Sequence, residues 1–116
     1  MPVRSSSSPV LIWPDAGQAE AALRLWAADL LARGAAQRVG SFGSLMRGDW
    51  GVGSDLDIVV IVGCSGEVPA RRAAAFDTAS LPVPADVLVY TEQEWEAMVA
   101  EGRRMTREVR WLEAAQ

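Results

Sequence analysis

The chain has 116 residues, half of them hydrophobic and 22% charged, with a formal net charge of −4. This is the balance of one soluble globular domain, and the negative charge argues against a protein that coats nucleic acid nonspecifically. One cysteine, Cys64, excludes an internal disulfide framework and a cysteine zinc cluster. The absence of histidine excludes Ser-His-Asp and Cys-His catalysis and imidazole-ligated metals.

Residues 1–9 are serine-rich and read as a flexible N-terminal arm, leaving residues 10–116 as a single domain. Val10 to Trp13 is a candidate edge strand, cut off by Pro14 and Asp15. The apolar patch is too short for a signal peptide or a membrane span, so a cytoplasmic location is expected. Asp15 is placed to cap a helix, with Gln18 as its capping-box partner. Leu23, Trp26, Ala27, Leu30 and Leu31 then recur at the spacing of a core-facing stripe, and Gly34 supplies the stop.

Residues 36–42 predict a strand delivering the chain to Gly43-Ser44, followed by one helical turn over 45–47 and a loop over 49–54. Leu56 to Val62 is an unbroken, β-branched run, which predicts a central strand buried on both faces. A helix is expected from Pro69 to about Ala79, and a strand over 86–90. Thr91-Glu-Gln-Glu94 is a capping box opening a last helix with apolar positions at Trp95, Met98, Val99, Gly102, Met105, Val109 and Leu112. Arg103, Arg107 and Arg110 form a stripe on that helix that reads as a solvated face, with partner or phosphate contact as the alternative. The order α, β, β, α, β, α predicts an α+β fold.

Chemistry concentrates in residues 42–62. Asp55 and Asp57 stand two apart on the predicted strand, so their carboxylates share a face. Two anions at the edge of an apolar run repel each other unless a cation lies between them, and oxygen ligands suit Mg²⁺. Gly43-Ser44, at a strand end before a short helix, combines backbone N–H groups, close approach and a hydroxyl into a phosphate cradle. Asp86 opens a later strand, and if that strand lies beside the first, three carboxylates meet. Asp49 and Asp77 are rival third acids, and solvated turn or capping roles are the alternatives for all of them.

Other residues near the cluster have two readings each. Arg47 reaches a triphosphate or braces the loop, and Ser54 contacts nucleotide or supports the aspartate strand. Trp50 stacks on a base or packs against the core. Three carboxylates beside a triphosphate would form a two-metal transfer site, the metals about 3.5–4 Å apart.

Gly43-Ser44, ten residues, then Asp55-x-Asp57 resembles the signature of the nucleotidyltransferase superfamily that includes DNA polymerase beta. Phe42-Gly-Ser-Leu-Met-Arg-Gly48 and Ser54-Asp-Leu-Asp-Ile-Val-Val60 are similar to its small members, the minimal nucleotidyltransferase domains. Met46 departs from the pattern, standing where those members carry a small residue. The resemblance implies a mixed β-sheet flanked by α-helices and two Mg²⁺ ions. It also implies transfer of a nucleoside monophosphate from a nucleoside triphosphate, with ATP the expected donor, to an acceptor hydroxyl. Carried over, Asp55, Asp57 and Asp86 hold the metals and carry catalysis, Asp86 also helping to deprotonate the acceptor. Ser44, with the Gly43 backbone, holds the β- and γ-phosphates.

Relatives of this size often act beside a helical HEPN-type partner as antitoxins, so such a partner, or a second copy of the chain, is expected to complete the site. No membrane association and no direct nucleic-acid binding are expected. A catalytically silent nucleotide- or partner-binding subunit and an aminoglycoside-type nucleotidyltransferase are the alternatives.

Overall fold

The computed structural model describes residues 13–63 and 69–112. The expected arm at 1–9, most of the candidate strand at 10–13, and Cys64 lie outside them. Helix α1 (Ala16–Ala32) opens as its sequence requires. The Gln18 N–H donates to Asp15 Oδ1 at 2.8 Å, and the Asp15 N–H donates to Gln18 Oε1 at 2.9 Å. It closes through Gly34, at φ +71°, with Gly34 N–H bonded to Leu31 O and Ala35 N–H to Leu30 O. Those two bonds are the helix-ending pair that a left-handed glycine permits.

Strand β1 (Arg38–Phe42) leads into the single turn α2 (Ser44–Arg47), and a loop returns the chain as β2 (Leu56–Val62). After α3 (Pro69–Ala73), strand β3 (Ala85–Thr91) feeds α4 (Glu92–Ala100), α5 (Arg104–Glu108) and β4 (Arg110–Leu112). The strands make one mixed sheet in the order β3-β2-β1-β4. Strand β2 is parallel to β3 and antiparallel to β1, and β1 is antiparallel to β4. The sheet is flanked by helices, as an α+β fold requires.

The β2 run is central and buried on both faces, with Ile58, Val59, Val60 and Ile61 all fully inaccessible. Ile58 and Val60 pack with Leu23, Trp26, Ala27 and Leu30 of α1. Val59 and Ile61 pack on the other face with Trp95 and Met98 of α4. Alternation along β2 therefore assigns Asp57 to the α4–α5 face. Among the described residues, no helix is long and apolar enough to cross a membrane.

Two expectations are corrected. The helix from Pro69 stops at Ala73 rather than near Ala79. The Asp77 carbonyl accepts from Trp26 Nε1 at 2.8 Å, and its carboxylate accepts from the Ala79 N–H at 2.9 Å, so that stretch is held as a turn against α1. The single last helix is instead two helices and a strand. Gly102, at φ +72°, ends α4 with Gly102 N–H bonded to Val99 O and Arg103 N–H to Met98 O, repeating the geometry at Gly34.

The arginine stripe is consequently broken up. Arg103 caps α5, Arg107 lies within it, and Arg110 begins β4. Strand β4 is fixed by Trp111, which meets Trp95 edge-on at 5.3 Å and lies under the Arg38 guanidinium at 4.3 Å. Arg38 also pairs with Glu92 at 2.8 Å.

The Thr91 capping box forms as expected and is joined to α3. Glu94 accepts from Thr91 N–H at 2.8 Å and from the buried Arg72 at 2.5 and 3.1 Å. The Arg72 hydrogen bond, then the backbone bond from Thr91, hold the Glu94 carboxyl down from an ordinary 4.5 to about 2. A depressed carboxyl pKa stabilises the fold above the unfolded value, and that contribution is lost as pH falls through the folded one. The melting temperature should therefore drop between pH about 4.5 and about 2. In Glu94→Gln this part of the acid dependence disappears, and stability at neutral pH is lower because Arg72 loses its carboxylate.

Candidate active site

The acids gather at one end of the sheet. Asp57 is the second residue of β2 and Asp86 the second of β3, and they are direct partners in the parallel register. Neighbouring strands lie about 4.8 Å apart and paired residues share a face, so these two carboxylates emerge side by side. Asp55 precedes β2 by one residue and is exposed, as is Asp86, whereas Asp57 is half-buried. Burial raises the Asp57 pKa first, and the charges of Asp86 and Asp55 raise it further, while Arg47 opposes them. The three acids thus act on one another electrostatically, Asp57 in the middle.

The rival third acids are engaged elsewhere. Asp49 pairs with Arg47 at 3.4 Å, and Asp77 closes its own turn onto Ala79. Every other carboxylate among the described residues except Glu96 likewise accepts a hydrogen bond or pairs with an arginine. Asp55, Asp57 and Asp86 do neither.

Phe42 pairs with Asp57 in the antiparallel register, so the turn that follows β1 lies over the acids. Gly43 is buried at φ +83° and ψ −155°, and a Cβ there would collide with the Asp57 carboxylate. Only glycine lets the backbone approach this closely. Ser44 then begins α2, and its hydroxyl makes no hydrogen bond among the described residues. The first N–H groups of any helix lack intrahelical acceptors, so the turn offers donors beside a row of acceptors.

The neighbouring glycine and serine have a different use. Ser41 is fully buried and its hydroxyl donates to Asp57 O at 2.8 Å. A Cβ on Gly40 would come within 2.8 Å of Trp111 and 2.7 Å of Val109, so this pair fits β4 against β1.

The loop residues divide between their two readings. Ser54 Oγ accepts from the Gly51 N–H at 3.0 Å while the Ser54 N–H bonds Gly51 O, closing the turn that delivers Asp55. Trp50 packs against the α1 core and donates from Nε1 to Pro14 O at 3.0 Å, so it anchors the loop. Arg47 does both: it pairs loosely with Asp49 and lines the cleft over the acids.

That cleft has a volume of about 570 Å³ and is walled by Gly43, Ser44, Arg47, Asp55 and Asp57 on one side. Arg104, Met105 and Glu108 of α5 form the other wall. Sequence reading missed these three, because a continuous helix would have carried them past the site. Gly102 was the available signal. Among the described residues no three carboxylates close into a ready-made metal cage. The donor set nevertheless suits a hard divalent ion, since it is all oxygen, unpaired, and destabilised by its own charge.

No curated protein is significantly similar to the chain. A candidate nucleotidyltransferase from Sulfolobus solfataricus, solved by crystallography, superposes with a TM-score of 0.50 at 22% identity. The alignment covers 71% of this chain and 78% of that one, and shows a shared fold. The family model described as a nucleotidyltransferase domain matches residues 27–110. That match takes in most of the chain, so the chain belongs to the nucleotidyltransferase domain family of transferases.

Proposed function

We propose that this chain uses Mg²⁺ to transfer a nucleoside monophosphate from a nucleoside triphosphate, with ATP as donor, to an acceptor hydroxyl. The observation that carries the reading is the direct pairing of Asp57 with Asp86 beside the Gly43 turn. Asp55, Asp57 and Asp86 would hold magnesium, which when bound neutralises the charge of the triphosphate and of the developing transition state. The Gly43-Ser44 turn holds the β- and γ-phosphates with its N–H groups and the Ser44 hydroxyl, and Arg47 adds a guanidinium from the same wall.

The acceptor oxygen attacks the α-phosphorus from the Asp86 side, and Asp86 helps draw off its proton. A new oxygen–phosphorus bond forms as the bond to the bridging oxygen breaks, and pyrophosphate leaves with that electron pair. Positioning and charge neutralisation carry the rate, with no covalent enzyme intermediate.

The cleft is walled by two short segments and open elsewhere, which favours a second protein as the source of the acceptor. A helical HEPN-type partner is our assignment, giving the chain an antitoxin-like role, and a second copy of the chain is the other candidate. The test is the mass of whatever protein co-purifies with this chain, before and after incubation with ATP and Mg²⁺. A gain of one nucleoside monophosphate on a hydroxyl-bearing residue is expected. Tight ATP binding without any transfer would instead mark a silent binding subunit, and adenylylation of an aminoglycoside by the chain alone would mark a small-molecule enzyme.

A further inference from the structure

The charges at this end of the sheet are ordered. Asp86 is the second residue of β3, Asp57 the second of β2, the Gly43 turn follows β1, and Arg110 opens β4. The sheet order β3-β2-β1-β4 therefore sets acids on one side of the glycine turn and an arginine on the other. Arg110 pairs with Ser41 in the β1 register, one residue from the Phe42–Asp57 pair, so it leaves the same end of the sheet on the face opposite Asp57.

Beyond the turn lies a second groove of about 630 Å³, lined by Gly43, Met46, Arg47, Arg107, Glu108 and Arg110 among others. Gly43, Arg47 and Glu108 also line the cleft over the acids, so the two spaces adjoin. Their charges differ in one respect from the rest of the surface. Arg24, Arg33, Arg38, Arg47, Arg72, Arg103 and Arg104 all pair with a carboxylate. Among the described residues only Arg71, Arg107 and Arg110 do not, and two of these three face one groove. Glu108, the acid in that groove, is already neutralised by Arg104 at 2.6 Å.

We infer that Arg107 and Arg110 take the terminal phosphates of the triphosphate and the pyrophosphate released from it. This rests on the nucleotidyl-transfer reading given above and gives the bound nucleotide a direction. If Asp86 marks the side from which the acceptor attacks, in-line displacement sends the leaving group the opposite way, toward β4. Two unpaired guanidiniums there supply forked donors matched to phosphate oxygens. They are exposed on the outer side of the turn, so they attract the leaving group without enclosing it, and product can escape.

The test compares inorganic tripolyphosphate and pyrophosphate binding by calorimetry in the wild type, Arg107→Ala/Arg110→Ala and Arg71→Ala. Arg71→Ala removes the same kind of exposed, unpaired charge outside the groove. The double variant should lose roughly tenfold or more in affinity for both anions, the scale of lost charge-assisted bonds. Arg71→Ala should change it less than about twofold, and the binding of AMP should be untouched in both. Arg107→Lys/Arg110→Lys should recover part of the loss, and pyrophosphate should inhibit the double variant correspondingly less. Unchanged polyphosphate affinity in the double variant, with wild-type transfer intact, would overturn this inference and leave the transferase reading standing. Arginine-dependent polyphosphate binding without any transfer would do the reverse.

Discussion

Asp57→Asn is expected to abolish nucleotidyl transfer and, in the absence of metal, to raise the melting temperature. The two effects have one cause. Asp57 is half-buried between Asp86 and Asp55, and burial followed by those two charges raises its pKa. A raised carboxyl pKa means that the folded state holds the proton more tightly than the unfolded one. Stability is then fully present below the unfolded pKa and falls as pH rises through the folded value. At neutral pH the ionised Asp57 is a cost to the fold, and an isosteric amide removes it.

Relief of a partly exposed charge contact is worth about 0.5–1 kcal/mol. The gain should vanish when the comparison is made below the unfolded pKa, where the wild-type carboxyl is also neutral. On the proposed reading the same substitution removes the central metal ligand of the acid row, and transfer should fall by roughly a thousandfold or more. A variant both less stable and less active would point to a structural role for Asp57 instead.

Gly43→Ala should be the most damaging glycine-to-alanine change among the described residues. Gly43 sits at φ +83° with its missing Cβ directed at the Asp57 carboxylate, so alanine meets two penalties. The backbone conformation alone costs about 1–3 kcal/mol for a residue with a side chain. The collision forces either the Gly43 turn or Asp57 to move, and displacement of about 1 Å at a reacting site can cost about a hundredfold in rate. We expect a loss of stability of about 1–3 kcal/mol in chemical denaturation and at least a hundredfold loss of transfer. Gly51→Ala, where no described residue beyond the chain neighbours lies within 4 Å of the added methyl, is the matched control and should behave as wild type.

Gly34 and Gly102 show what could be read from the sequence and what could not. Both adopt a left-handed conformation and close a helix with the same pair of hydrogen bonds. Gly34 was legible because the apolar stripe stops there. Gly102 was masked by Met105, Val109 and Leu112, which continue the helical spacing by accident of a second helix and a strand. A periodicity that outlives a glycine says nothing about whether the chain turns at it.

The cost of that misreading was the far wall of the cleft, since Arg104, Met105 and Glu108 reach the site only after the break. The acids were easier. Asp57 lies on an unmistakable strand with Asp55 just before it, and Asp86 required only that two apolar runs pair in parallel. What a single sequence does not encode locally is register, and it was register that brought Asp86 opposite Asp57 rather than one residue to either side.

The most direct test of this account is ATP binding to the metal-free protein, measured by calorimetry with and without added Mg²⁺, in the wild type and Asp57→Asn. Acids that repel each other until a cation joins them to a triphosphate predict tight binding only for the wild type with Mg²⁺. Equal binding in all four conditions would show that the nucleotide does not depend on the acid row, and would contradict the account.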